Sequence, residues 1–578
     1  MGSGPPARTP GGWPVRRGLA TLQASFPFRA EASLATLTGG QLVAKMLKAE
    51  GIRHVFTLSG LHVAPIYAGC VEEGIQVIDT RHEQAAAHAA DAYARLTRGP
   101  GVAIVTAGPG VTDALTGVAN ANAANVPLLL LGGAAPTFNQ SRGSLQEMEQ
   151  VDLFLRITKW SDRIPSPELV PAYMAKAFRT MMSGRPGPVF LEIAWDVLSN
   201  GVEEPKLPQH YRTTARGAGD PEMIERAARA IAEAKHPAVI AGSSIWWDEA
   251  ADALRVLAEK AQMPVFLNGA GRGCLPPDHR CFFQHTRKEA LSEADVVVVV
   301  GTPLDFRLGY GDAFREDATL VQIDVDPAEI GRNRAVQIGI PGNSRVVLEQ
   351  IAGALGNAPD RSAFLEILRA RERDKLERLA AHENADDRPI HHSRLAKELS
   401  DFANRHDPMF VADGGNYVAM AAKTIQLRQP GRWLDPGPLG CLGVGAPFAI
   451  AAKLLHPERQ IFVIQGDGSF GLNGFDFETA IRFGLPMVVV VGNDAAWGQI
   501  RLPQVAIFGE EKSPATLLAP TRYDRIVEAM GGWGELVTEP DQVGPALERA
   551  VASGKVACVN VMLDPEAPMR SGMMGYAV

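Results

Sequence analysis

Asp467 and Asp494, each at the end of an apolar run, are the most chemically informative pair in this 578-residue chain. Asp467 lies in Gly466-Asp467-Gly468-Ser469, directly after the run 461–464. Asp494 closes Gly492-Asn493-Asp494, after the run 486–491. Short continuous apolar runs bounded by glycine read as strands buried on both faces. In doubly wound sheets, ligands bind at the carboxyl ends of such strands. One carboxylate at each strand end offers hard oxygen ligands to a cation such as Mg²⁺. The glycines beside Asp467 let backbone N–H groups come close to an anion. With no Gly-Lys-Ser/Thr run, a cation plus a phosphate cradle points to a diphosphate cofactor rather than a P-loop nucleotide. The same residues also fit an ordinary strand–turn–helix.

The elements that must hold such a site recur along the chain. Near the start, strands are expected at 55–58, 75–79, 101–106 and 126–132, with helices between them, including one over 84–96. Strand–helix alternation of this kind argues for mostly parallel sheets. Alternation resumes over 215–355, and a charged helix with i,i+4 opposite charges follows near 361–387. The expected fold class is α/β with three doubly wound parallel-sheet domains. The boundaries read as 34–200, 215–355 and 389–578, with a linker helix at 356–388. Residues 1–33, rich in Pro, Gly and Ser, read as a disordered extension or the product of an upstream start codon. Arg16-Arg17 lacks the apolar stretch and cleavage site of an export signal. Residues 499–520 read as a mobile loop over the site, and 568–578 as a disordered end or a lid.

Composition excludes several classes. A formal net charge of -8 gives no broad attraction to nucleic acid or to an anionic membrane. No apolar run is long enough to span a bilayer. The five cysteines are scattered, which fits a reduced, cytoplasmic setting and no zinc site.

Taken together, the motifs resemble the thiamine diphosphate-dependent enzymes of the acetolactate synthase, benzaldehyde lyase, 2-hydroxyacyl-CoA lyase and oxalyl-CoA decarboxylase group. Gly466-Asp467-Gly468 followed by Asn493-Asp494 is similar to that family's metal signature. The resemblance implies Mg²⁺ held by Asp467, Asp494 and the carbonyl of Ala496, with Gly466, Gly468 and Ser469 at the diphosphate. Asp494 departs from the asparagine usual there. RHEQAAAHAADAYAR followed by VTAGPG resembles the pyrimidine-binding domain, and implies that Glu83 shares a proton with the aminopyrimidine ring to generate the C2 carbanion. FTLSGLH is similar to benzaldehyde lyase and implies that His62 handles a substrate proton. GSLQE implies that Gln146 orients a carbonyl or hydroxyl, although Leu145 stands where synthases carry an aromatic residue. GPLGCLGVG implies that Leu442 props the cofactor into its bent shape, with Gly440 at the aminopyrimidine edge. Asn416 is implied at the diphosphate.

Over 215–355 the resemblance implies a Rossmann-like domain, either empty or holding FAD or ADP, with Asp324 and Arg307 as contacts. It also implies a homodimer or homotetramer. The leading expectation is a lyase/carboligase that acts on acyloins or 2-hydroxyacyl-CoA through a C2-carbanion/enamine intermediate. An acetolactate synthase-like 2-oxoacid decarboxylase/carboligase is the alternative, and a non-catalytic homologue the minor one.

Overall fold

In the computed structural model, residues 36–567 are described. The readings made for 1–33 and for the tail 568–578 lie outside the described residues. Three parallel sheets carry the chain. The first contains β1 (His54–Thr57), β2 (Gln76–Asp79), β3 (Gly101–Val105), β4 (Leu128–Ala134), β5 (Trp160–Ile164) and β6 (Val189–Ala194), in the order β2-β1-β3-β4-β6-β5. The middle sheet contains β7 (Pro237–Ala241), β8 (Val265–Leu267), β9 (Val296–Val300), β10 (Thr319–Asp324) and β11 (Ile338–Pro341), in the order β8-β7-β9-β10-β11. The third contains β12 (Met409–Ala412), β13 (Trp433–Leu434), β14 (Ile461–Gly466), β15 (Met487–Asn493), β16 (Trp533–Val537) and β17 (Val556–Met562), in the order β13-β12-β14-β15-β17-β16.

The first and third sheets therefore share one winding. In each, the second strand lies outside the first, and the third pairs with the first on its other side. That reversal opens a crevice beyond the carboxyl ends of the first and third strands. In the first domain this is where β1 and β3 end; in the third domain it is where β12 and β14 end. The two strands Asp467 and Asp494 follow, β14 and β15, are hydrogen-bonded neighbours in parallel register. All their residues are buried, as their unbroken apolar sequences require.

The same winding gives the two domains matching helices, each following its second strand. These are α1 (Glu83–Thr97) and α2 (Gly445–Leu455). Both are rich in alanine on their packed faces, with Ala86, Ala89 and Ala90 on one and Ala446, Ala449 and Ala452 on the other all buried. Small side chains let the two helices approach closely and merge the two domains into one apolar core. The middle domain keeps a core of its own. A charged helix, α3 (Ser362–Glu383), leads into the third domain and places Glu372 under the 284–286 turn, where it accepts from three backbone N–H groups. Among the described residues, no helix is long and apolar enough to cross a membrane.

One expectation is corrected. Much of 499–520 is helical, with Gly498–Phe508 forming an 11-residue helix that has Pro503 inside it. Ile500, Ile507 and Phe508 are exposed, so no apolar stripe is buried to give the sequence a helical period.

Candidate active site

Two groups of side chains gather at the two crevices. The first is organised by Thr106, just past β3. His62 comes from the short turn after β1, and its Nδ1 is 3.0 Å from Thr106 Oγ1. Thr106 Oγ1 donates in turn to Gln146 Oε1 at 3.5 Å. In the tautomer that donates from Nδ1 to Thr106, His62 keeps Nε2 as its basic nitrogen. Burial holds the His62 pKa below the ordinary imidazole value, so the ring is neutral at pH 7. Close approach at this point depends on glycine. A Cβ on Gly60 would lie 2.3 Å from Thr106 Cβ, and one on Gly133 would lie 2.6 Å from His62 Cβ.

Glu83 is the first residue of α1 and is 7% exposed. Burial is the main reason its carboxyl pKa is raised, with Asp113 adding repulsion and the helix N–H and His82 opposing it. Its Oε1 faces the glycine turn, where a Cβ on Gly110 would come within 3.3 Å of it and within 2.9 Å of Thr106 Cγ2. Gln150 braces that turn. It accepts from Gly108 N–H at 2.7 Å and donates to the fully buried Glu192 at 2.7 Å. Glu192 is in turn ion-paired with Arg163.

The second group lies at the ends of β12, β14 and β15. Asp467 and Asp494 are 2% and 8% exposed. Asp467 Oδ1 accepts from Gly468 N–H at 2.8 Å, and its buried Oδ2 has no protein partner. Burial raises the pKa of both carboxyls, and the charge of Asp467 beside Asp494 raises the latter further. Asn493 takes no part. It is fully buried and donates to Thr521 O at 2.9 Å and Asn560 Oδ1 at 3.1 Å. Asn416 begins the next helix, is 5% exposed, and has a buried Oδ1 without a partner. A Cβ on Gly498 would lie 2.3 Å from Asn416 Nδ2 and 2.6 Å from Asp494 Oδ2, so only glycine fits between them. Trp497 lies against the Asp467 turn, 2.5 Å from where a Gly468 Cβ would be. Ser469 Oγ donates to Gly414 O at 3.1 Å, fastening the β14 turn to the β12 turn. Leu442 covers Gly414, where a Cβ would collide with Leu442 Cδ2 at 2.0 Å. Gly440, two residues earlier, has a φ of +68° and open space around it.

Similarity to known proteins follows the same three domains. Residues 37–153 match the thiamine pyrophosphate enzyme N-terminal TPP binding domain, 224–351 its central domain, and 413–561 its C-terminal TPP binding domain. The chain belongs to the thiamine pyrophosphate enzyme family. It is 41% identical over 545 residues to "Probable acetolactate synthase" of Mycobacterium bovis, covering 93% of this chain and 98% of that protein. It is 35% identical over 578 residues to "2-hydroxyacyl-CoA lyase 2" of Caenorhabditis elegans, covering 91% and 89%. The Homo sapiens protein of the same name is 35% identical over 581 residues, covering 91% and 90%.

The residues of this thiamine pyrophosphate enzyme fit the groups the family implies. Two buried acids side by side, both with pKa values raised by burial, and the orphaned Oδ2 of Asp467 suit a hard divalent cation. Among the described residues no group of three or more His, Cys, Asp or Glu is placed to hold a metal ion, so such a cation would draw its other oxygens from backbone and from a diphosphate. At Gly414, Gly415, Gly468 and Gly498 a Cβ would collide with neighbouring atoms, so glycine lets these turns pack together at the strand ends, and backbone N–H groups in such turns are suited to an anion.

Between the three domains lies a cleft of about 1000 Å³. It opens at the switch point of the middle sheet, where Gly242–Ser244 follow β7 and Gly301–Thr302 follow β9. Asp324 and Arg307 both line it. Asp324 is buried and accepts from Asp326 N–H at 2.9 Å, whereas Arg307 is gripped by Asp305, with Nη2 to Oδ2 at 2.6 Å.

Sequence reasoning passed over Thr106, Gln150 and Asp413. Thr106 stands inside VTAGPG and carried no distinguishing signal. Gln150 and Asp413 act through partners 30 or more residues away.

Proposed function

We propose that this enzyme is a thiamine diphosphate- and Mg²⁺-dependent C–C bond lyase/carboligase acting on 2-hydroxy carbonyl compounds, either acyloins or 2-hydroxyacyl-CoA. The observation that carries the reading is His62, neutral and hydrogen-bonded through Thr106 to Gln146 beside the Glu83 turn. Asp467, Asp494 and the Ala496 carbonyl hold the cation. Gly466, Gly468, Ser469 and Asn416 face the diphosphate, and Gly440 and Leu442 support the aminopyrimidine. Glu83 shares a proton with that ring from its half-dry position. When bound, thiamine diphosphate supplies a C2 nucleophile and an electron sink.

His62 Nε2 takes the hydroxyl proton of the 2-hydroxy carbonyl compound as its C–C bond breaks, and returns one in the carboligation direction. Gln146 orients the carbonyl. Among the described residues, no hydrogen bond or ion pair joins Glu83, His62 or Gln146 to the Asp467 group. By the family resemblance, a second copy of the chain brings the complementary group, and the active form is a homodimer or homotetramer. The three-domain cleft either stands empty or would take an adenine nucleotide, ADP or FAD, with Asp324 and Arg307 among the residues that would contact it. An acetolactate synthase-like activity is the second reading, favoured by the name of the Mycobacterium bovis relative.

His62→Ala separates the two. Loss of CO₂ from a 2-oxoacid requires no hydroxyl deprotonation, whereas acyloin or hydroxyacyl cleavage does. The substitution is expected to lower cleavage by about 10²–10⁴-fold, the usual contribution of a general base, and pyruvate decarboxylation far less. The wild-type cleavage rate is expected to fall as acid protonates the ring, with an inflection below the ordinary imidazole value that His62→Ala abolishes. Both rates are measured on one cofactor-saturated preparation; equal losses would contradict the role.

A further inference from the structure

Asp413 directly follows β12 and is 4% exposed. Its carboxylate faces no cation among the described residues. It is filled instead by backbone donors from two turns. Oδ1 accepts from Gly414 N–H at 2.7 Å and Gly443 N–H at 3.0 Å, and Oδ2 accepts from Gly445 N–H at 2.7 Å. Burial raises the carboxyl pKa, the three N–H groups and the Ser469 hydroxyl oppose that rise, and the net value of about 6 leaves it mostly ionised at neutral pH. Hydrogen bonds to an ionised acceptor are the strong kind, and a buried one fixes its donors closely. The segment it grips from the far side is Gly443–Gly445, immediately after Leu442. Gly443 has a φ of +85°, which a side chain would strain. Asn473 holds the same turn from the opposite side, donating to Gly443 O at 2.8 Å. The outcome of both grips is that Leu442 lies against Gly414, closer than any Cβ there would allow.

We propose that Asp413 is the positioning residue for the cofactor prop, acting through the Gly443 and Gly445 N–H groups to hold Leu442 over Gly414. The inference rests on Leu442 being the prop of the proposed site. Asp413→Asn keeps the size of the side chain but turns an amide N–H₂ toward one of the N–H donors, so the turn is released on one side. Asn473→Ala releases it on the other.

The test is a double-mutant cycle on the full chain, with thiamine diphosphate and Mg²⁺ as the probe. Cofactor affinity is read without substrate from quenching of tryptophan fluorescence, since Trp497 stands against the Gly468 turn. kcat at saturating cofactor is the second readout. Asp413→Asn is expected to weaken cofactor affinity by about 10–100-fold, the equivalent of one or two charge-assisted hydrogen bonds. KM for the carbonyl substrate should stay unchanged while kcat falls. Combined with Leu442→Ala, the loss should be no greater than that of the worse single variant. Should Asp413→Asn fail to fold, Asn473→Ala enters the same cycle with the same expectation. Multiplicative losses, or an Asp413→Asn protein that binds cofactor as the wild type does, would overturn the positioning role alone. A Leu442→Ala protein with unchanged affinity and kcat would overturn it together with the prop reading.

Discussion

Glu83→Gln is expected to lower turnover by about 10²–10⁴-fold with every substrate the wild type accepts. Glutamine preserves the volume of a residue that is 7% exposed and starts α1, so neither the helix nor its alanine packing against α2 should change. What is lost is a carboxyl that burial holds above the ordinary carboxylate pKa, and which therefore keeps a proton more readily than an exposed glutamate. An amide cannot exchange a proton in that way. Cofactor binding, followed separately by fluorescence, should weaken much less than turnover. A Glu83→Gln protein with full turnover would remove Glu83 from the chemistry and leave its burial without a functional account.

Asp494→Ala is expected to produce opposite effects on the metal-loaded and metal-free protein. Loss of a cation ligand should weaken Mg²⁺ affinity by at least about 10–100-fold, the loss typical of removing even an outer partner, and cofactor retention should fall with it. The metal-free protein should become no less stable. Asp467 and Asp494 have folded-state pKa values raised above those of the unfolded chain. The folded form thus retains protons that the unfolded form has released, and metal-free stability declines as pH rises through the range between the two. Removing Asp494 relieves that burden. Mg²⁺ relieves it too by displacing the proton, so wild-type affinity for Mg²⁺ should fall as pH is lowered through the same range. Calorimetric titration at several pH values, with thermal unfolding with and without metal, checks both signs. Unchanged Mg²⁺ affinity in Asp494→Ala would mean that another oxygen holds the ion. Asn493 is a poor substitute, since its amide is committed to Thr521 and Asn560.

Much of this site is legible in the sequence because it lies at strand ends. Asp467, Asp494 and Glu83 each follow a short apolar strand within one to four residues, and glycine marks the turns that bring backbone to ligand. The three-sheet fold is legible for a similar reason, since buried parallel strands need unbroken apolar runs. What stays hidden acts across distance. Asp413 reads as one more strand-end acid until Gly443 and Gly445, some 30 residues later, are seen to donate to it. Gln150 matters through Gly133, 17 residues away, and through Gly108 and Glu192, each 42 residues away. The helix Gly498–Phe508 was hidden for a different reason: it buries too little apolar surface to write a period into its sequence. The shared winding of the first and third sheets is a property of strand pairing, and the sequences of the two domains carry no visible repeat of it.

The central claim, a lyase/carboligase that uses the Glu83 and Asp467 groups on 2-hydroxy carbonyl compounds, is tested most directly by the products of the wild-type enzyme. Purified protein with thiamine diphosphate and Mg²⁺ is incubated separately with benzoin, a 2-hydroxyacyl-CoA, benzaldehyde plus formaldehyde, and pyruvate, and every product is identified by mass. Aldehyde release from benzoin or from the hydroxyacyl-CoA, and acyloin formation from the paired aldehydes, are expected at rates well above any conversion of pyruvate. Efficient acetolactate formation from pyruvate, with no cleavage of either 2-hydroxy carbonyl compound, would contradict the claim.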